Sequence, residues 1–175
     1  MKRRKIRSLS VSEIGMGCMG FSHGYGQVPG AGYAEEAIRE AFGYGCNFFD
    51  TAEGYGKELY YPGHNEEIVG RAVRGFRNEV VIATKLHIRP EAVEDCGSVY
   101  AAVRRHLERS LKNLQIDYVD LYYLHRINME VDNLEVAHAM GRLIQEGLVR
   151  EWGISTVDKA RRCRAEDLLY GGAHF

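Results

Sequence analysis

No stretch of this 175-residue sequence approaches the roughly 18 consecutive apolar residues of a membrane-spanning helix, so no membrane partner is expected. The basic start, Lys2-Arg3-Arg4-Lys5-Ile6-Arg7, lacks the apolar core of a secretory signal and reads as a solvated terminus. Charge of one sign is missing as well. The 23 Lys and Arg against 24 Asp and Glu leave a formal net charge of -1, which gives no argument for nucleic acid or an anionic surface. Cysteine is sparse: Cys18, Cys46, Cys96 and Cys163 stand far apart and form no CxxC pair. That argues against a zinc ribbon or a redox dithiol and fits a reducing cytoplasm. The seven histidines form no HExxH and no tight cluster, so no metal is expected. Linkers and low-complexity segments are lacking too, and residues 1–175 read as a single domain.

What the sequence does contain is alternation. Ser98 is a good N-cap for a helix whose apolar stripe runs Val99, Val103, Leu107, Leu111 and Leu114. Glu108 is placed to pair with Lys112 one turn on. Asn65 reads as the cap of a shorter helix carrying Ile68, Val69, Ala72 and Val73. Ala37, Ile38, Ala41 and Phe42 form a third stripe, and Leu134, Ala137, Met140 and Ile144 a fourth. Three of these helices reach a glycine (Gly45, Gly75, Gly147), the residue favoured in the left-handed turn past a C-terminus. Short apolar runs near 14–18, 46–50, 80–84, 118–124 and 151–154 lie between the helices. Strand and helix alternating at about 30–40 residues describes βαβ units and a parallel sheet. The long glycine-bearing segments, 21–33 and 51–64, come after strands and so belong to the carboxyl face, where such folds bind ligands.

Gly15-Met16-Gly17-Cys18-Met19-Gly20 spells GxGxxG, but no helix opens inside it, as a dinucleotide fingerprint requires. It reads better as a strand whose glycines let another chain or a cofactor approach closely. Four other residues carry the chemistry. Asp50, Lys85 and His125 each close an apolar run, and Tyr55 lies five residues past Asp50. An ammonium beside a phenol stabilises the phenolate, and a carboxylate keeps that ammonium charged and oriented. An imidazole can donate to a carbonyl oxygen as negative charge builds there. The phenol then transfers the proton. The missing component is a hydride, which side chains cannot supply and a nicotinamide can.

On these residues the chain resembles an aldo-keto reductase. The matching segments are Ile14 to Gly20, Phe49-Asp50-Thr51-Ala52-Glu53-Gly54-Tyr55-Gly56, Ile82-Ala83-Thr84-Lys85, Asp117 to His125, and Val149 to Ser155. The resemblance implies a (β/α)8 TIM-barrel type, NADPH (or NADH) as hydride donor, no metal, and a small-molecule aldehyde or ketone as substrate. It puts the catalytic residues on Asp50, Tyr55, Lys85 and His125. Cofactor contacts are implied at Gly17, Cys18, Met19, Asp50 and Ser155. The position after Ser155, commonly Asn in the family, is Thr156 here.

A full barrel of this type takes about 250 residues. The sequence accounts for about five βα units, so a partial barrel is expected, with 156–175 as an atypical tail. Within that tail Val157 to Leu169 reads as a weak helix. Open barrel edges lead to an expectation of self-association, or of a truncated, catalytically silent remnant acting at most as an interaction module. A third chemistry, a Schiff base on Lys85, is the minor alternative.

Overall fold

The computed structural model describes residues 1–23 and 26–156. The expected tail, apart from the strand-ending backbone of Thr156, lies outside the described residues. A hairpin comes first, β1 (Arg3–Ile6) and β2 (Leu9–Ser12). After it come β3 (Met16–Gly17), α1 (Ala31–Gly43), β4 (Phe48–Asp50), α2 (His64–Val73) and β5 (Val81–Leu86). The described chain continues through α3 (Pro90–Cys96), α4 (Val99–Leu114), β6 (Val119–Arg126), α5 (Asn133–Gln145) and β7 (Val149–Thr156). Strands β3 to β7 lie side by side in chain order, all parallel, as a run of βα units winding one way predicts.

Side chains alternate across a strand, so register decides what meets what. Asp50 is opposite Ala83, Ala83 opposite Leu121, and Lys85 opposite Tyr123 and then Gly153. The other parity, including Phe49, Ile82, Leu86, Tyr122 and Leu124, packs with the helices in the main core. The inner parity forms a smaller cluster, where Val81, Ala83 and Leu121 meet Leu9 and Val11 of the hairpin.

The basic run is solvent-exposed, as expected, and is also one strand of this hairpin. Residues far along the chain hold the hairpin in place. Ser12 N donates to Asn47 Oδ1 at 2.6 Å, and Asn47 Nδ2 donates to the Ser10 carbonyl at 3.1 Å. At the other side of the sheet the Ser8 hydroxyl donates to Glu151 Oε1 at 2.5 Å. The hairpin therefore closes the amino-terminal end of the strands.

Helix boundaries obey local chemistry. Ser98 Oγ accepts from Ala101 N at 3.2 Å and starts α4. Asp132 does the same for α5, accepting from Leu134 N at 2.9 Å. Gly45 and Gly147 take the left-handed conformation (φ 92 and 76) that ends α1 and α5. Three expectations fail here. Gly75 has no positive φ, Glu108 pairs back to Arg104 (2.8 Å) rather than forward to Lys112, and Asn65 does not cap α2. Helix α3, begun by Pro90 and stopped by Gly97 (φ 75), has no counterpart among the sequence-based helices because it is short and only Ala92, Val93 and Cys96 pack, partly buried, on the core.

Candidate active site

Three of the four chemistry-bearing residues come from neighbouring strand ends, and the fourth from the turn after β4. Lys85 is 4% exposed, so its ammonium must be satisfied by protein groups. It is. Lys85 Nζ bonds to Asp50 Oδ1, donates to the Thr51 carbonyl at 2.7 Å, and lies 3.2 Å from the Tyr55 hydroxyl. The same nitrogen stands 4.9 Å from the centre of the Tyr55 ring. Tyr55 meets the His125 ring edge-on, with centroids 5.9 Å apart and planes at 84°. Burial, reinforced by the charge of Lys85, pushes the His125 imidazole down to about 4, so the ring is neutral at physiological pH. Tyr55 and His125 line one open cavity of about 870 Å3.

Tyr55 keeps its place because the loop carrying it is tied down. Gly63 N donates to the Glu53 carbonyl at 2.8 Å, and Tyr55 N donates to the Ala52 carbonyl at 3.1 Å. Gly56 has φ 98, and a Cβ there would stand 3.0 Å from the His64 Cβ. Only glycine suits that turn.

Two further polar residues support the site and were not singled out in the sequence as part of it. Asn65, fully buried, accepts from the Thr51 hydroxyl at 2.6 Å and donates to the Cys18 carbonyl (2.9 Å) and to Ser22 Oγ (2.8 Å). It thereby pins the ends of β3 and β4 to α2. Glu53 Oε1 accepts from His87 N at 2.7 Å, while its Oε2 lies 2.7 Å from His106 Nδ1 and 3.2 Å from Arg109 Nη2. Burial raises the Glu53 carboxyl, but the bond to His106, its charge and the His87 amide outweigh that and hold it below the usual range. The partners of Glu53 lie on another strand end and on α4, so spacing alone could not reveal them.

The residues expected to meet a cofactor divide into two groups. Gly17 is exposed at the end of β3, and a Cβ there would meet nothing within 4 Å, leaving an open, flat approach. Met19 lines the cavity. Ser155 is exposed and, from the pairing of Leu124 with Ile154 and Arg126 with Thr156, stands level with His125. Cys18 is different. Its thiol has no solvent contact and is pushed up by burial, its N–H donates to the Asp50 carbonyl (2.8 Å), and its carbonyl accepts from Asn65. Cys18 therefore supports the open strand end from beneath. Among the described residues no group of three or more His, Cys, Asp or Glu is arranged to hold a metal ion.

The model of the Aldo/keto reductase family matches residues 13–170. The chain belongs to this family. That match runs past Ser155, the last residue of the sequence resemblance. A Bacillus subtilis relative described as an uncharacterized oxidoreductase, YqkF, is 36% identical over 166 residues, which are 90% of this chain and 49% of that protein. Probable aldo-keto reductase 1 of Glycine max is 35% identical, covering 91% of this chain and 46% of its own length. Among solved structures, an aldo-keto reductase from Klebsiella pneumoniae in complex with NADPH superposes with a TM-score of 0.76 at 31% identity. That likeness covers 98% of this chain and 54% of the other. The holo form of aldo-keto reductase AKR11C1 from Bacillus halodurans gives 0.77 at 32%, over 94% and 53%. The chain thus spans about half the length of the curated relatives it matches. Its five parallel strands and their helices form a partial barrel of the aldo-keto reductase (β/α)8 type.

Proposed function

We propose that this chain carries the proton-transfer site of an oxidoreductase that reduces an aldehyde or ketone with NADPH, NADH being the other candidate donor. The observation that carries the reading is the 3.2 Å separation of Lys85 Nζ from the Tyr55 hydroxyl, with the same ammonium held by Asp50 and the Thr51 carbonyl. A bound nicotinamide supplies the hydride that side chains lack. The residues of the chain do the rest. His125, neutral, donates an N–H to the carbonyl oxygen and orients it. Tyr55 gives that oxygen its proton as negative charge develops, and the fixed Lys85 ammonium stabilises the phenolate left behind. Asp50 keeps the ammonium aimed. In the oxidising direction Tyr55 takes the proton back. Gly17, Met19, Asp50 and Ser155 form the surface on which the cofactor lies, and Cys18 supports it from below.

The test combines NADPH binding, monitored by quenching of Trp152 fluorescence, with reduction of 4-nitrobenzaldehyde. Tyr55→Phe keeps the ring and removes the proton. Turnover is expected to fall at least about 100-fold while cofactor binding survives. Unchanged turnover in Tyr55→Phe, or no NADPH binding by the unaltered chain, would overturn the reading.

A further inference from the structure

The cavity that holds Tyr55 and His125 extends outward over the ends of β4, β5 and β6, and its charges are unevenly matched. Its acids are mostly answered. Glu53 is bound to His106 and Arg109, Glu58 to His23, and Asp95 lies 3.8 Å from Arg105. Only Glu91 lines it without a partner among the described residues. Three cations are unanswered. The side chains of Lys57, Arg89 and Arg126 line the same cavity and make no hydrogen bond or ion pair among the described residues. All three are exposed.

Their placement is a consequence of the sheet. Lys57 lies on the loop after β4, Arg89 just after β5, and Arg126 at the end of β6, so adjacent strands deliver them to one rim. All three charges act on His87, at the tip of β5, and Arg126 acts on His125 as well. Of the positions expected at a cofactor, Gly17 is on β3 and Ser155 on β7, the two outer strands of the sheet, Asp50 ends β4, and Met19 lines this same cavity. The three cations belong to the ends of the middle strands. They line the cavity that also holds Tyr55 and His125.

We infer that Lys57, Arg89 and Arg126 form an anion-recognising rim, and that the substrate is a carbonyl compound with a carboxylate or similar anion at the end remote from the reacting carbon. The carbonyl would sit by Tyr55 and His125 and the anion would reach outward to the three cations. This rests on the carbonyl-reductase reading of Tyr55. The rim supplies what a neutral aldehyde could not use: three charges without a partner among the described residues. Arg89 and Arg126 can grip a carboxylate in a two-pronged manner, and Lys57 adds a mobile point charge.

The experiment is a binding titration of the full chain, by ligand-detected NMR, with 4-carboxybenzaldehyde and with benzaldehyde. The carboxylate compound is expected to bind about tenfold more tightly at low ionic strength, with that advantage fading as salt reaches about 0.5 M. The double variant Arg89→Gln, Arg126→Gln should shrink the preference to within about twofold while benzaldehyde binding stays the same. The salt series on the unaltered chain needs no variant, so it stands even if the double variant fails to fold. Equal binding of the two aldehydes, binding of neither, or a preference that survives in a folded double variant would overturn the rim. So would displacement of 4-carboxybenzaldehyde by adenosine 2′,5′-bisphosphate, which would assign the cations to the cofactor. Binding preference and turnover are read separately. A preserved preference with Tyr55-independent reduction would sink the proton-transfer reading and leave the rim intact.

Discussion

Thr51 donates its hydroxyl hydrogen to Asn65 Oδ1 across 2.6 Å, and neither residue has any contact with solvent. Thr51 also offers its backbone carbonyl to the Lys85 ammonium. Asn65 therefore stands one step behind the Lys85 ammonium. Replacing it with Ala leaves the Thr51 hydroxyl without its partner in a dry region and removes one of two hydrogen bonds from the Cys18 carbonyl, which keeps Phe21 N, and from Ser22 Oγ, which keeps His64 Nδ1. The expected loss is about 1–3 kcal/mol of folding stability, measured by urea denaturation. A loss near zero would mean that these groups find other partners.

Helices α2 and α4 approach closely at Gly70. A Cβ there would fall 2.2 Å from the Leu114 carbonyl oxygen and 2.6 Å from its carbon, and backbone atoms cannot rotate out of the way. Gly70→Ala should push α4 from α2 and destabilise the fold by about 1–3 kcal/mol. Gly75→Ala is the control. Gly75 meets nothing within 4 Å and has no positive φ, so its change should be neutral or favourable by less than about 1 kcal/mol. Thermal unfolding of the two variants side by side checks the contrast.

Acid should weaken the fold through His125. Its imidazole takes a proton near pH 4 in the folded chain, against an ordinary value of 6.5. Between those limits the unfolded chain binds more protons than the folded one, so stability falls as pH drops through that window. Above about 6.5 the ring is neutral in both states and the effect vanishes. Titration of the His125 ring protons by NMR should show a midpoint well below that of an exposed histidine. His125→Gln should flatten the decline of stability from pH 6.5 to 4.

Much of this arrangement could be read from the sequence because it depends on short-range rules. Five apolar runs gave the five parallel strands in order. Ser98, Gly45 and Gly147 set helix ends by local chemistry, and Asp50 and Lys85 fell on adjacent strand ends, with the Tyr55 hydroxyl of the following turn 3.2 Å from Lys85 Nζ. The failures share a different cause. Asn65 looks like a helix cap on local rules, yet its partners are Thr51, Cys18 and Ser22, which only the folded sheet brings near. Glu53 lies three residues past Asp50 but is claimed by His106 and Arg109 on α4, far along the chain. The hairpin escaped notice because Arg3, Arg4 and Lys5 give β1 no apolar face; its pairing is set by β2, whose Leu9 and Val11 turn inward.

The Asn47 and Glu151 attachments of that hairpin sit on opposite sides of the sheet. A strap fastened at two separated points resists flattening of whatever it spans. The bend of the sheet decides whether groups on separate strands aim at a single point or splay apart. Cutting the strap at Ser8 or Asn47, some distance below the reacting groups, should thus blur the aim of Lys85 and Tyr55 without touching either one.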